Sequence, residues 1–309
     1  MITPDRYTSL GELLRDALVQ WKTETALIEV NRKREVARLT YLDVRRASAA
    51  FARRLQDLGV GADTRVAICM SNQGRWPISG AAVFLRGGVV VPVDYKLTPK
   101  EQEAILAHCR PHVVIAEYPS FRLWTTRVAE HVIVSEAPAN VTLPDYAQRY
   151  EDTDAARTDY TFVPRKRSEQ ATLVYSSGTG GTPKGCMLSH ENYLEQLRSL
   201  MKLYPLEVGD RYFSILPTNH AIDFMCGFLG PFMGGATVIH QRTLRPEQIA
   251  DTMQRYEVTH MAIVPLILES FERRIRDKLD AKSSLGQHAF ETLRQVNACL
   301  LYTSPSPRD

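Results

Sequence analysis

One alternation constrains the fold of this chain more than any other feature. Short unbroken apolar runs rich in β-branched residues, Arg65–Met70, Val89–Val93 and Val113–Ala116, are separated by segments whose apolar residues return at helical spacing. A strand that is apolar on both faces must be covered on both faces, and crossover helices do this for parallel strands. The pattern predicts an α/β fold of layered, mostly parallel sheets flanked by helices.

The helices mark their own boundaries. Ser9 and Glu12 form a capping-box pattern that opens a helix running to about Trp21. Val44, Ala47, Ala50, Phe51 and Leu55 recur at helical spacing from Tyr41 to about Leu58, and Gly59 ends that helix as a C-cap. Trp76–Arg86 reads as a helix stopped by Gly87-Gly88, and Thr98 caps another near Pro99–Cys109. Ala26–Val30 and Arg38–Tyr41 are candidate strands.

Residues 117–170 are less regular and contain the basic run Arg165-Lys166-Arg167, read as a solvated turn. A subdomain boundary is expected there, dividing 1–170 from 171–298. In the second part Ser189 caps a helix to about Leu203, with Glu191 in its first turn. A strand at Tyr212–Leu216, a helix from Asp223 to Met233 and a strand at Ala236–His240 follow. A helix near Pro246–Tyr256, a strand at His260–Val264 and a helix over Leu266–Leu279 complete the series. No repeat of solenoid period is present.

Composition narrows the function classes. The chain has 309 residues, 44% hydrophobic and 24% charged, with a net charge of only +3. That is ordinary globular composition and argues against a dedicated nucleic-acid surface. The 5 cysteines are widely spaced without a Cys-x-x-Cys pair, so neither a zinc ribbon nor a disulfide scaffold is implied. For most of them, buried thiols in a reducing cytoplasm are the expectation. The charged N-terminus is unlike a secretory signal. Phe224–Ile239 lacks charge, but it carries Pro231 and Gly234-Gly235 and falls short of the roughly 20 apolar residues of a spanning helix. No transmembrane segment is expected, which leaves peripheral membrane contact open.

The chemistry concentrates in Thr172–Leu188. A β-prone run, Thr172–Tyr175, opens into small and turn-forming residues, Ser176–Pro183, then Lys184, Gly185 and a second apolar run. Glycines let successive backbone N–H groups turn inward, and such a concavity binds anions. Ser176, Ser177, Thr179 and Thr182 add hydroxyls, and Lys184 adds a mobile positive charge. A polyphosphate suits this donor set. The plain alternative is a hairpin connection without a ligand, for which the loop is long. A Walker A loop is excluded, because Lys184 follows Pro183 and Gly185 stands where Ser or Thr should bind magnesium.

The loop resembles the signature of the adenylate-forming superfamily, which includes acyl-CoA synthetases, luciferases and peptide-synthetase adenylation domains. The family pattern is Ser/Thr-Ser-Gly-Ser/Thr-Thr-Gly-x-Pro-Lys-Gly. Here it reads Ser176-Ser177-Gly178-Thr179-Gly180-Gly181-Thr182-Pro183-Lys184-Gly185, and Gly180 departs from it by replacing a Thr hydroxyl. Leu39-Thr40-Tyr41-Leu42-Asp43, Leu58-Gly59-Val60 through Asp63–Ala67, and Val89–Asp94 resemble other family segments in the same order. The resemblance covers roughly residues 8–298 and implies the large N-terminal domain of an adenylate-forming enzyme.

The resemblance implies a two-step reaction. A carboxylate, fatty or otherwise apolar, attacks the α-phosphate of ATP, and a thiol, usually coenzyme A, then takes the acyl group. Ser176, Ser177, Gly178, Thr179, Gly180, Gly181, Thr182 and Lys184 would hold the phosphates, with Lys184 and Thr179 stabilising the leaving pyrophosphate. Mg²⁺ would be shared with the phosphates, and no protein metal ligands are expected. Leu216-Pro217-Thr218-Asn219-His220 resembles the family's Leu/Met-Pro-x-x-His, which puts His220 beside the carboxylate. Alternatively, His220 is a core residue at a strand end. His220 and Asp223 are not read as a metal pair, since nothing supplies the other ligands. Phe224, Met225, Phe228, Leu229, Phe232 and Met233 line an acyl pocket or fill the core, and an apolar helical stripe favours the core.

The family's later segments, an aromatic-Gly-x-Ser/Thr-Glu run, a Thr-Gly-Asp run and a small C-terminal domain with a catalytic Lys, find no match. Leu293–Leu300 resembles the strand before them, and 299–309 reads as a non-native tail. A truncated, catalytically incomplete ligase is therefore expected. An adenylation module loading a carrier protein, and a nucleotide-binding fragment without catalysis, are the alternatives.

Overall fold

The computed structural model describes residues 2–176, 184–242 and 245–280, together with Phe290 and Thr292. The chain divides into two compact units, Met1–Ala262 and Ile263–Asp309. The first opens with α1 (Leu10–Gln20), β1 (Thr25–Asn31), β2 (Arg34–Thr40) and α2 (Tyr41–Asp57). β3 (Arg65–Cys69), α3 (Arg75–Leu85), β4 (Val89–Pro92), α4 (Pro99–Cys109) and β5 (Val113–Glu117) then alternate as the sequence predicts. Next come α5 (Tyr118–Phe121), β6 (His131–Ser135), β7 (Ala147–Arg149), β8 (Gln170–Ser176) and β9 (Lys184–Ser189). The unit continues through α6 (His190–Leu203), β10 (Arg211–Ser214), α7 (Ala221–Asp223), a π-helical segment Phe224–Leu229 and α8 (Gly230–Gly234). β11 (Thr237–Gln241) and α9 (Pro246–Arg255) complete it. The described part of the second unit holds α10 (Pro265–Asp280), with an Arg276–Glu272 ion pair at 2.7 Å.

Two sheets form, a seven-stranded one in the order β7-β6-β5-β3-β4-β8-β9 and a four-stranded one in the order β10-β11-β1-β2. Only β1/β2 and β8/β9 pair antiparallel among the described strands. Both sheets draw strands from either side of residue 170: β4 pairs with β8 through Val90 and Thr172, and β1 pairs with β11.

Two local readings need correction. The supposedly irregular 117–170 region contributes β6 and β7, and β6 buries Val132, Ile133 and Val134 as fully as β5 buries its own run. The expected strand at His260–Val264 reduces to one bridge between Tyr212 and His260. Its ladder stops where the Ala262 N–H turns to the Tyr212 hydroxyl (3.4 Å) instead of a β10 carbonyl.

The helix ends follow their capping residues. Thr40/Asp43, Thr98/Glu101 and Ser189/Asn192 make complete capping boxes. At α1 only half the expected box forms: Ser9 Oγ accepts from Glu12 N (3.2 Å), while the Glu12 carboxylate accepts from the Thr8 N–H and hydroxyl. Gly11 lets α1 lie against α3, since a Cβ there would stand 2.3 Å from the Phe84 carbonyl oxygen. Phe224, Phe228 and Phe232 stack edge-to-face with Trp76 and Tyr41, at centroid distances of 5.2–5.9 Å. With Met225, Leu229 and Met233 they are buried in the main core, so this stripe fills the interior.

Candidate active site at the carboxyl ends of the strands

Ligands of α/β sheets collect beyond the carboxyl ends of the strands. Here β3 runs into Ser71-Asn72-Gln73, β4 into Asp94, β10 into the Pro217–His220 turn and β11 into Arg242. Ser71, Asn72, Tyr95, Lys96, Pro217 and Arg242 are among the residues around a cavity of about 20 Å³ between these ends. That is room for about one water molecule.

Asn72 ties the two sheets together. Its amide nitrogen donates to the Ser214 hydroxyl (2.9 Å) and the Leu216 carbonyl (2.6 Å), and its oxygen accepts from Thr218 N (2.9 Å). Asp223 lies below, fully buried, accepting from Ser214 (2.7 Å), Thr218 (3.0 Å) and Tyr212 (3.2 Å). Burial pushes its carboxyl up to about 6, although those three donors resist the shift. A Cβ on Gly227 would stand 2.5 Å from that carboxylate, so glycine is required where the π-helical segment passes it. This wider turn is commonly found next to functional sites.

The turn held by this network presents His220 outward. Its ring Nε2 lies 3.5 Å from Asp94 Oδ2, and its side chain is 61% exposed, which excludes the core-residue reading. His220 N–H donates to the Pro217 carbonyl (2.9 Å), closing the turn. Asp94 also accepts from Lys96 N (2.9 Å), so its carboxylate is fixed before the histidine reaches it. The His220–Asp94 pair therefore bridges the carboxyl ends of β10 and β4, one from each sheet.

A second polar group lies at the ends of β1, β5 and β11. Arg242 bonds Glu29 (3.1 Å), Glu136 (2.7 Å) and Gln73 (3.0 Å). Burial opposes its charge, but hydrogen bonding to Glu136 and the fields of both carboxylates outweigh this and hold its pKa above the ordinary value. Glu117 accepts from Ser71 (2.6 Å) and from the Gln73 amide, and burial raises its pKa. These bonds fix the walls of the cavity.

The hairpin stands at the same end of the seven-stranded sheet. β8 is parallel to β4, so it reaches Ser176 at its carboxyl end, and Ser176 lies opposite Lys184 at the start of β9. Lys184, Gly185 and Cys186 are exposed. Tyr175 is anchored by its hydroxyl to His108 Nδ1 on α4 (2.6 Å), and burial pushes the phenol up to about 12. Ser177, Gly178, Thr179, Gly180, Gly181 and Thr182 lie outside the described residues. Among the described residues no hydrogen bond or ion pair joins Lys184 to His220. The hairpin sequence carries hydroxyls, amides and one ammonium but no carboxylate, a donor set for an anion. Asp94, Asn72 and Arg242 escaped the sequence reading. Asp94 alone carried a signal, as the acid ending the Val89–Asp94 segment.

The chain matches the AMP-binding enzyme family over residues 14–307. It is 24% identical to the Arabidopsis thaliana protein named "Probable acyl-activating enzyme 16, chloroplastic", over 98% of this chain and 44% of that protein. It is 26% identical to a chloroplastic long-chain-fatty-acid–[acyl-carrier-protein] ligase of the same plant, over 84% of this chain and 38% of that protein. It thus spans less than half the length of these two relatives. Its fold superposes on the anthranilate CoA ligase AuaEII in complex with anthranoyl-AMP, with a TM-score of 0.72 and 24% identity, over 82% of this chain and 49% of that one. Hairpin, strand order and family match agree: this chain belongs to the AMP-binding enzyme family.

Proposed function

We propose that this chain carries the pyrophosphate side and the carboxylate side of an ATP-dependent acid-activating site. The carrying observation is the hairpin, which sets Ser176 opposite an exposed Lys184 at the carboxyl end of the parallel strands, within a sequence that fits the family signature. A carboxylate oxygen attacks the α-phosphorus, the bond to the bridging oxygen breaks, and pyrophosphate leaves with the charge. Lys184 and the loop donors Ser176, Ser177, Gly178, Thr179, Gly180, Gly181 and Thr182 meet that charge, and preorganised donors of this kind lower the barrier. Gly180 contributes an N–H but no hydroxyl. Mg²⁺ would supply neutralisation of phosphate charge, and the hairpin, which has hydroxyls and amides but no carboxylate, would hold the phosphates rather than the ion. In this reading His220, beside Asp94, donates to the incoming carboxylate.

The second step, transfer to coenzyme A or to a carrier protein, belongs to the longer protein this reading implies. The acyl-carrier-protein ligase among the relatives favours the carrier protein, and the anthranilate CoA ligase favours coenzyme A. A fatty acid is proposed on the relatives' names alone, because the Phe224–Met233 stripe is closed in the core. The described cysteines are free, and burial pushes Cys69 up to about 12 and Cys109 up to about 11, which suits inert thiols in a reducing compartment such as the cytoplasm. Among the described residues no helix is long and apolar enough to cross a membrane.

Calorimetric titration with pyrophosphate and Mg-ATP tests the cradle directly. Binding to this chain is expected, and absence of binding to both ligands refutes the reading. Exchange of labelled pyrophosphate into ATP, dependent on added acid, then distinguishes an adenylating site from a nucleotide-binding one.

A further inference from the structure

At the opposite, amino ends of the strands, His112, Glu130 and His131 come together. His112 directly precedes β5 and His131 begins β6 beside it, with Val113 paired to His131. His112 Nδ1 lies 3.0 Å from one Glu130 oxygen, and His131 Nε2 lies 3.8 Å from the other. One ligand atom from each residue fits within a 4.8 Å spread.

The hydrogen bonds decide what this cluster lacks. His112 Nε2 lies 2.7 Å from the Leu58 carbonyl, which can only accept, so that nitrogen carries a proton. In a neutral ring Nδ1 is then a bare lone pair, and it faces a carboxylate that is itself an acceptor. Two such acceptors 3.0 Å apart turn their lone pairs toward one another, a position in which a metal ion would be held between them. A backbone carbonyl on the far nitrogen is also how metal-bound histidines are oriented. We propose that His112, Glu130 and His131 form a site for a divalent transition-metal ion of the zinc class.

The spacing suits that ion. Zinc bonds of about 2.0–2.1 Å at tetrahedral angles put ligand atoms about 3.3 Å apart, and one ligand atom from each of the three residues lies within 4.8 Å of the others, so small side-chain rotations bring them onto an ion. Two imidazoles and a carboxylate fill three positions, and a fourth remains for water, which reaches the cluster because Glu130 is 62% exposed. Arg65 and Arg110 line the cavity beside His112 together with the Asp63 carboxylate, so the charge around the cluster is mixed and Glu130 supplies the negative charge among the three ligands themselves. The Arg127 guanidinium fixes the Glu130 carbonyl (2.8 Å), which steadies the segment bearing the carboxylate. A bound ion would clamp β5 to β6 without touching the hairpin or His220.

The test uses tag-free full chain and Zn²⁺ alone. One equivalent is expected to bind and raise the melting temperature, and Co²⁺ is expected to give the absorption bands of a tetrahedral site. Glu130→Gln and His131→Gln, both at accessible side chains, should each weaken binding by at least about tenfold, because even outer-shell changes reduce metal affinity that much. His112→Gln should do the same, with circular dichroism checking the fold. No zinc binding, or equal binding by wild type and both accessible-site variants, overturns the proposal.

Discussion

Asp223→Asn tests whether the buried carboxylate beneath the His220 turn is a source of instability at neutral pH. Asp223 is fully buried, has no cation beside it among the described residues, and has its pKa raised from 3.8 to about 6. Between those values the folded chain keeps a proton that the unfolded chain has released. The unfolded state therefore binds fewer protons, and the contribution of this group to stability falls as pH rises. A shift of this size amounts to about 3 kcal/mol once pH exceeds 6. Roughly 2 kcal/mol of it develops between pH 4.5 and 7.

His190 and His240 oppose this slope in the wild type. Burial lowers them to about 4 and about 3, so each contributes stability that is lost as pH falls below the unfolded value. Both remain in the variant and cancel in the difference. Asn keeps one acceptor, and the Ser214 and Thr218 hydroxyls can rotate to accept from its amide. Urea unfolding of wild type and variant, measured from pH 4.5 to 7, should show the variant gaining on wild type by about 2 kcal/mol across that range. A difference independent of pH would refute the reasoning, because it would mean that Asp223 ionises in the folded state as freely as in water.

Other perturbations follow from the same geometry. Lys184→Ala should lower acid-dependent pyrophosphate exchange by about 10²–10³-fold, as removal of one charge-stabilising donor does elsewhere, with unfolding midpoints unchanged because the side chain is exposed. Gly11→Ala would gain about 1 kcal/mol of helix propensity but force a methyl against the Phe84 carbonyl. Overpacking at about 1–3 kcal/mol should win, and a lower denaturation midpoint checks it. His240→Leu removes two buried ring nitrogens that have no hydrogen-bond partner among the described residues. It should stabilise the fold at pH 7 by about 1–3 kcal/mol and flatten its acid sensitivity, both readable in urea melts.

Sequence reading located most helices because their boundaries depend on neighbours in the chain. Thr98 reaches Glu101, and Ser189 reaches Asn192, wherever the helix later packs. It overlooked β6 because His131–Ser135 is brief and lies among polar loops, and its pairing with β5 is what stabilises it. It named His220 through a motif but not Asp94, since the two meet only when the β4 and β10 ends converge. The clustering of His112, Glu130 and His131 was equally hidden, because its spacing fits no local metal pattern.

By itself the sequence determined the alternating α/β order and the anion-binding composition of the hairpin. Those properties arise from periodicity, small residues and donor chemistry over short stretches. Only the tertiary structure decided that strands from both sides of residue 170 share two sheets. It also closed the Phe224–Met233 stripe into the core and faced His220 with Asp94. Such outcomes depend on which surfaces exclude water together, and burial is a property of the packed molecule rather than of any segment.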